Sequence, residues 1–176
     1  MRPKSIILIG FKHVGKTVIG RALADQLKWP FRDLDEAIEQ LFTKETQAHK
    51  TCRQIMKAHG SAYFRELEKR TLVQVMQTGP LIHALGGGAP LEKDIQHVIK
   101  KHTLIHITAP REVVFNRIMM QGCPAFFPEG EAPLTTFHRL WEERAEIYKK
   151  LADFSIENKG LIASAVTQIL RKYQHA

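Results

Sequence analysis

The chain has 176 residues, of which 44% are hydrophobic and 25% are charged, and its formal net charge is +8. This length fits one domain with a buried core, and the composition excludes a disordered, collagenous or membrane-spanning protein. No apolar run approaches the roughly 20 residues that cross a bilayer, and the short apolar run near the N-terminus ends in a glycine turn rather than a cleavage site. We therefore expect a cytoplasmic protein with no membrane partner.

The positive charge is compatible with a nucleic acid or with a small polyanion such as ATP. The sequence contains no block of five or six consecutive basic residues and no basic residues interleaved with aromatic ones, so we expect no nucleic-acid partner. The two cysteines, Cys52 and Cys123, match no metal-ligand or CxxC spacing, which predicts two free thiols.

Strand and helix patterns alternate along the chain. Short apolar segments predict five strands, at Ser5–Gly10, Phe31–Leu34, Leu81–Leu85, Leu104–Ile107 and Phe154–Ile156. Segments with one apolar face predict helices, at Thr17–Leu27, Asp35–Phe42, Thr51–His59, Tyr63–Gln77, Glu92–Lys100, Arg111–Met120, Thr135–Leu151 and Leu161–Tyr173. Residues 43–50 and Gln121–Leu134 predict loops. Repeated strand–helix units predict an α/β fold whose parallel sheet is covered by helices on both faces.

Residues 10–17, GFKHVGKT, match the pattern GxxxxGK[ST] between the first strand and the first helix. Such a turn directs backbone N–H groups and the positive end of a helix at phosphate oxygens. Lys16 would reach the β- and γ-phosphates, and the Thr17 hydroxyl would ligate Mg²⁺. The turn predicts a nucleoside triphosphate site with contacts from Gly10, Phe11, Lys12, His13, Val14, Gly15, Lys16, Thr17 and Val18.

Asp33 and Asp35 lie at the end of the second predicted strand, where ligands gather in parallel sheets. Because they are two residues apart on a strand, their side chains would point the same way. One carboxylate could then orient Mg²⁺ through water, and the other could accept the proton of a substrate hydroxyl. An Asp at a helix start is also a common N-cap, and Asp35 fits that reading as well.

Three other features have both a functional and an ordinary interpretation. Arg65 and Glu68 share one helix face, as a surface ion pair would. The triple glycine 86–88 either lets backbone approach a ligand or forms a flexible turn. Arg144 either belongs to a solvated helix face or, together with Arg65, binds a carboxylate.

In this order, these motifs resemble the shikimate kinase family across nearly the whole chain, from SIILIGFKHVGKTVIGRALA through RDLDEAIE, GSAYFRELE, ALGGGAP and ERAEIYKK. The resemblance implies one P-loop kinase domain over residues 1–176, with a three-layer α/β/α fold around a five-stranded parallel sheet. It implies a substrate-binding insertion at about 35–77 and a lid at about 121–134. The implied protein is a cytoplasmic monomer that uses ATP and Mg²⁺ to phosphorylate the 3-hydroxyl of shikimate, a step towards chorismate and aromatic amino acids.

The resemblance also implies roles for individual residues. Asp35 would hold the substrate hydroxyls and act as the base, while Arg65 and Arg144 would bind the substrate carboxylate. Glu68 would orient Arg65, and the backbone of Gly87–Gly88 would contact the substrate ring. The remaining implied roles are phosphate contact by Lys16 and Arg117, and a Mg²⁺ site at Thr17 with Asp33 acting through water.

The chain departs from the family pattern in three places. The inner part of the turn reads Lys12-His13-Val14, with His13 where glycine is usual, and Ser61 stands where an acidic residue is usual. The lid reads Cys123-Pro124 where the family has an Arg-Pro pair whose arginine touches ATP. We hypothesise that Arg117, Lys12 or the dipole of the first helix partly compensates, because arginine stabilises the charge that develops during phosphoryl transfer.

Three alternatives stay open at this point. The chain could be another P-loop kinase, for gluconate or a nucleoside monophosphate, although Asp35, Arg65, the triple glycine and Arg144 argue against it. It could be a degenerate kinase retained as a binding or regulatory protein, which only the missing lid arginine supports. It could also be a basic nucleic-acid binder.

Overall fold

The computed structural model describes residues 4–120, 127 and 130–174. Within these residues it contains strands at Ile6–Ile9 (β1), Phe31–Asp33 (β2), Ile82–Ala84 (β3), Thr103–Thr108 (β4) and Phe154–Glu157 (β5). The helices are Lys16–Leu27 (α1), Leu34–Thr46 (α2), Cys52–Met76 (α3), Lys93–Ile99 (α4), Arg111–Met120 (α5), Pro133–Leu151 (α6) and Ile162–Tyr173 (α7), with a 3₁₀ helix at Ala89–Leu91. The alternation of strands and helices is as the sequence predicts.

The five strands form one parallel sheet in the order β2-β3-β1-β4-β5. All four residues of β1 are 0% exposed, because this central strand is covered on both faces. The predicted three-layer α/β/α architecture with a five-stranded parallel sheet is confirmed. Since parallel strands end at the same edge, the segments that follow β1, β2 and β3 lie side by side at that edge.

Helix α2 is longer than predicted. It runs to Thr46, so residues 43–46, predicted as loop, are helical. These residues are polar, but polarity does not stop a helix whose other face is buried, as Ile38 and Phe42 are here. The helix ends instead where Gln47 adopts a left-handed conformation, φ 60°, and its N–H binds the Thr43 carbonyl oxygen.

The two helices predicted at Thr51–His59 and Tyr63–Gln77 form a single element, α3, with a break at Gly60. Gly60 has φ 84° and ψ 168°, which is not helical, so the predicted interruption is present although the helical assignment continues across it. Thr51 caps the start of α3 through a reciprocal pair of hydrogen bonds with Gln54. Helices α2 and α3 make up the predicted insertion at 35–77, whose role in substrate binding stays a prediction.

The predicted lid at 121–134 falls largely outside the described residues. Pro133 and Leu134 are the first residues of α6, so the loop is shorter at this end than predicted. Phe127, within the same segment, is buried against the hydrophobic core. Cys123 is not among the described residues, whereas Cys52 is a free thiol as predicted. Of the helices described, none combines the length and apolar character needed to cross a membrane.

Candidate active site

The turn between β1 and α1 takes up left-handed backbone at Gly15, the N-cap of α1, with φ 103°, and at His13, with φ 64°. Glycine adopts that region freely, but a residue with a Cβ is strained there by about 1 kcal/mol. This strain is the physical reason why glycine suits position 13. The turn leads from a buried strand into a helix, so the N-terminal N–H groups of α1 are available to an anion.

Not every side chain of this turn can touch a nucleotide. Phe11 and Val14 are 3% and 0% exposed, so only their backbone groups are available to ATP. Lys12 is exposed, and Val18 is 53% exposed at the first turn of α1. The predicted contacts of Phe11 and Val14 are therefore limited to main-chain atoms.

Lys16 lies folded against its own turn. Its Nζ donates hydrogen bonds to the carbonyl oxygens of Gly10, at 2.9 Å, and Phe11, at 2.7 Å. Burial lowers the pKa of Lys16 to about 8, although the carboxylates of Asp35 and Asp33 oppose this shift. Phosphate oxygens beside this ammonium would favour its charged form further, so a triphosphate and Lys16 would stabilise each other.

Asp33 connects the turn to α2. The Thr17 hydroxyl donates to Asp33 Oδ2 at 2.7 Å, and Asp33 Oδ1 accepts from the Asp35 N–H at 3.0 Å. Asp33 is thus the last residue of β2 and the N-cap of α2. The prediction that Asp33 and Asp35 share a strand face is wrong, and so is the N-cap reading for Asp35. Asp35 lies inside the first turn of α2, because the strand ends one residue earlier than predicted.

Asp35 nevertheless points into the same region as the triple glycine. A Cβ atom added to Gly86 would lie 2.7 Å from Asp35 Oδ1, so only glycine leaves room for this carboxylate. The residue is partly exposed to solvent, but the protein atoms packed around its carboxyl desolvate it and so raise its pKa. The neighbouring Asp33 carboxylate adds to the shift, while Lys16 and Lys12 oppose it. A carboxyl with a raised pKa is a stronger base, as proton abstraction requires.

Arg65 is held by two carboxylates. Its NH1 binds Glu68 Oε2 at 2.5 Å, and its Nε binds Glu92 Oε1 at 3.2 Å. The Glu68 side chain is 2% exposed, and burial raises the pKa of its carboxyl against the opposing effect of Arg65. A Cβ atom on Gly88 would lie 2.8 Å from Arg65 NH2. The pair is therefore a buried contact at the glycine loop rather than a surface ion pair.

The glycine loop is tied to α6 by a residue that the sequence analysis did not single out. The Tyr148 hydroxyl donates to the Gly87 carbonyl oxygen at 2.5 Å, and Tyr148 is 1% exposed. Burial raises the pKa of Tyr148 to about 12, so it is a neutral donor at physiological pH. The loop is a fixed structure with three close approaches, not a flexible turn.

Arg144, one turn before Tyr148 on α6, is not part of a solvated face. Its guanidinium carbon lies 5.2 Å from the centre of the Phe11 ring, and its side chain hydrogen-bonds Tyr148. Burial lowers the pKa of Arg144, and the positive charge of Arg65 contributes in the same direction. Two guanidinium groups whose charges act on each other would both be stabilised by one substrate carboxylate.

The side chain of Arg117, on α5, contacts the backbone of the turn. Its NH1 donates to the His13 carbonyl oxygen at 3.0 Å. Burial lowers the pKa of the His13 imidazole, and the positive charges of Lys12, Lys16 and Arg117 add to this effect. Arg117 therefore lies beside the predicted phosphate site, as the sequence analysis expects.

The residues that the sequence predicts for the site are brought together at one edge of the sheet. They comprise the turn at 10–17, Asp33 and Asp35 after β2, the glycine loop after β3, and Arg65, Glu68, Arg117 and Arg144 on three helices. Three further residues were not predicted for the site: Glu92, Tyr148 and Asn158. Each makes its contact across a long sequence separation or from a segment that reads as an ordinary turn.

The model of the shikimate kinase family matches residues 12–174 of this chain. The chain belongs to the shikimate kinase family. The shikimate kinase of Bartonella henselae is 31% identical over 174 residues, which cover 98% of this chain and 79% of that protein. The shikimate kinase of Brucella canis is 30% identical over 172 residues, which cover 95% of this chain and 82% of that protein.

Solved structures give the same result. A shikimate kinase from Acinetobacter baumannii in complex with shikimate superposes with a TM-score of 0.84 and 27% identity, over 98% of this chain and 94% of that one. The shikimate kinase of Aquifex aeolicus gives a TM-score of 0.75 and 28% identity, over 97% of this chain and 96% of that one. The predicted family, enzyme class and reaction, ATP-dependent phosphorylation of shikimate, are confirmed.

A gluconokinase from Sinorhizobium meliloti also superposes, over 98% of this chain and 93% of that one. Its TM-score is 0.55 and its sequence identity is 12%, so this likeness concerns the fold alone. It gives no support to the alternative that the chain is a gluconate kinase, because unrelated specificities share this architecture.

Proposed function

We propose that the chain transfers the γ-phosphoryl group of ATP to the 3-hydroxyl of shikimate with the residues described above. The observation that carries this proposal is the convergence of Asp35 and Arg65 on the glycine loop. A Cβ atom at Gly86 or Gly88 would lie within 2.8 Å of their side chains. A base for a hydroxyl and a partner for a carboxylate therefore face one space next to the phosphate-binding turn.

In the proposed reaction, the carboxylate of Asp35 takes the proton of the 3-hydroxyl as its oxygen forms a bond to the γ-phosphorus. The bond between that phosphorus and the oxygen bridging to the β-phosphate breaks, and ADP leaves. Lys16 and the N–H groups of the turn stabilise the charge on the transferring group. Arg65 and Arg144 hold the substrate carboxylate, and Glu68 orients Arg65.

The donor set at Thr17 fits Mg²⁺. The Thr17 hydroxyl donates its proton to Asp33, which leaves its oxygen lone pairs free for a cation, and the Asp33 carboxylate lies within reach of a water ligand. Mg²⁺ prefers oxygen ligands and needs only one or two from the protein when phosphates supply others. When bound there, Mg²⁺ would supply neutralisation of the phosphate charge.

We also propose a cytoplasmic monomer with no nucleic-acid partner. The basic residues nearest the site, Lys12, Lys16 and Arg117, surround the turn that would hold ATP, which accounts for part of the positive charge. The positions of Arg117 and Lys12, whose charges both act on His13 in the turn, support the hypothesis that other cations compensate for the lid arginine that Cys123 replaces. Light scattering on a sizing column checks the monomeric state.

The decisive experiment measures ADP release with shikimate, gluconate and a nucleoside monophosphate as acceptors, in the presence of ATP and Mg²⁺. We expect turnover on shikimate alone. Asp35→Asn should lower kcat by about 10²–10⁴-fold, the usual contribution of a general base. Asp25→Asn, the same change on the exposed face of α1, is the control and should leave kcat unchanged.

Two outcomes would overturn this proposal. Turnover on gluconate but not on shikimate would reject the substrate. Binding of shikimate and ATP without ADP release would reject catalysis and favour a binding protein that has lost the lid arginine. An Asp35→Asn variant as active as Asp25→Asn would show that another group takes the proton.

A further inference from the structure

Four carbonyl oxygens of the phosphate-binding turn are held by side chains. Lys16 binds those of Gly10 and Phe11, and Arg117 binds that of His13. The fourth, on Val14, accepts a hydrogen bond from Asn158 Nδ2 at 2.9 Å. Asn158 lies just after β5 and is 144 residues away in sequence. None of the predicted site residues comes from this part of the chain.

The orientation of a carbonyl group determines the orientation of the next amide. In a planar trans peptide the C=O of one residue and the N–H of the following residue point in opposite directions. The bond from Asn158 to the Val14 oxygen therefore fixes the direction of the Gly15 N–H, which points from the opposite edge of the same planar peptide unit. The Gly15 N–H therefore points away from Asn158, and in a turn of this kind it is one of the N–H groups that we expect to meet the phosphate.

The Val14–Gly15 peptide is the part of the turn that most needs such a restraint. Gly15 has φ 103° and no side chain, so rotation of the peptide that precedes it meets little steric resistance. A rotated peptide would present the Val14 carbonyl oxygen, rather than the Gly15 N–H, to the phosphate. An oxygen facing an anion replaces a favourable hydrogen bond by a repulsion.

Asn158 is itself held firmly. It is 5% exposed, its N–H donates to the Thr108 carbonyl oxygen at 2.7 Å, and its Oδ1 accepts from the Gly160 N–H at 3.0 Å. This last bond determines which end of the amide is oxygen, so Nδ2 is the end that meets the turn. A Cβ atom on Gly15 would lie 2.5 Å from Nδ2, so the amide packs directly against the turn.

We propose that Asn158 is a positioning residue for ATP: it holds the Val14 carbonyl oxygen so that the Gly15 N–H is directed at a phosphate. The inference deepens the proposed function, on which it rests for the identity of the nucleotide. It predicts an effect on the affinity for phosphates and none on the binding of the acceptor.

The test compares Asn158→Ala with Asn116→Ala, the other asparagine of the chain, which is exposed on α5. Affinities for ATP, for inorganic tripolyphosphate and for shikimate are measured by titration calorimetry and competition, well below the melting temperature of each variant. We expect Asn158→Ala to weaken the binding of ATP and of tripolyphosphate by the same factor, about tenfold, which corresponds to one lost hydrogen bond to a charged group. Shikimate affinity should change less than about twofold, and Asn116→Ala should change none of the three.

Tripolyphosphate has no adenosine group, so its affinity reports on the phosphate contacts alone. A loss for ATP without a loss for tripolyphosphate would overturn the proposal, because Asn158 would then act on the nucleoside. An unchanged ATP affinity would overturn it as well. Equal losses of affinity for ATP and for shikimate would also overturn it, because they would indicate a general structural role for Asn158. If Asn158→Ala does not fold, Asn158→Leu removes the donor to Val14 with a side chain of similar size and no added charge, and it is subject to the same criteria.

These binding measurements do not require turnover. A chain that binds ATP in an Asn158-dependent way but phosphorylates no shikimate would contradict the proposed function and leave this inference standing. If the protein phosphorylates shikimate and both Asn158 variants bind ATP as tightly as the parent does, the proposed function stands and this inference is contradicted.

Discussion

The two carboxylates that hold Arg65 differ in their exposure to water. The Glu68 side chain is 2% exposed, whereas that of Glu92 is 44% exposed. Water screens an exposed ion pair, which contributes little, while a buried pair in the protein interior is much less screened. Glu68 is therefore the partner that we expect to determine the orientation of the guanidinium group.

This difference predicts unequal effects of the same substitution. Glu68→Gln should raise KM for shikimate about tenfold with a smaller change in kcat, because a charge-assisted hydrogen bond contributes about 1.5–3 kcal/mol. Glu92→Gln is the matched control and should change KM by less than about twofold. Steady-state kinetics with shikimate as the varied substrate measure both. Equal effects, or a larger effect at Glu92, would assign the orienting role to the exposed carboxylate.

At the scale of an element, the break in α3 depends on one residue. Gly60 has φ 84° and ψ 168°, a combination that is essentially confined to glycine. An added Cβ at Gly60 would meet no heavy atom within 4 Å, so steric contact does not forbid a side chain there. Any cost of a substitution must then come from the backbone conformation itself. The break separates the part of α3 where His59 packs on Phe42 from the part that carries Arg65.

Gly60→Ala should consequently lower the free energy of unfolding by about 1–3 kcal/mol, the cost of a residue held in a disfavoured conformation. Ser61→Ala, one residue later and with helical backbone, is the control and should stay within about 0.5 kcal/mol of the parent. Urea unfolding followed by circular dichroism measures both values. If the two variants are equally stable, α3 tolerates a continuous helix through residue 60.

At the scale of the whole molecule, the sheet buries a histidine in its interior. His83, on β3, is 0% exposed, and its Nδ1 lies 3.0 Å from the Arg32 carbonyl oxygen. A carbonyl oxygen only accepts, so Nδ1 carries the proton, and Nε2 has no hydrogen-bond partner among the described residues. Burial lowers the pKa of His83 from 6.5 to about 4, against the hydrogen bond to Arg32, which raises it.

This histidine should make the fold sensitive to acid. Between pH 6.5 and pH 4 the unfolded chain binds a proton at His83 that the folded chain does not, so stability falls as the pH falls through this window. The raised pKa values of the Asp35 and Glu68 carboxyls act in the opposite direction, because the folded state keeps those protons longer. The contribution of His83 must therefore be read as a difference between variants.

We expect His83→Asn to flatten the decline in unfolding free energy between pH 6.5 and pH 4 by at most about 3 kcal/mol relative to the parent. The absolute stability of the variant is not the readout, since a smaller side chain in the core lowers it at every pH. The exposed His97, changed to Asn, serves as the control. Urea titrations at several pH values give the slopes, and a parent and a His83→Asn curve that run parallel would contradict the prediction.

Features that depend on neighbouring residues were predictable from the sequence. The turn at 10–17 is one continuous motif between an apolar strand and an amphipathic helix, so its phosphate-binding character is a local property. The strand and helix order follows from apolar periodicity, because each pattern must bury one face. Predictions failed where two local signals compete. The sequence pattern allows Asp35 as an N-cap, but β2 ends at Asp33, and this strand end makes Asp33 the cap instead.

The sequence by itself thus determined the fold class, the phosphate-binding turn and most of the residues that gather around it. Only the tertiary structure decided how those residues are held. Tyr148 binds Gly87 across 61 residues, and Asn158 binds Val14 across 144. Such contacts exist because the sheet places its strand ends at one edge, and no short-range pattern specifies which distant side chain arrives there. The phosphate-binding turn is therefore encoded locally, but the orientation of its amides depends on the packing of the whole chain.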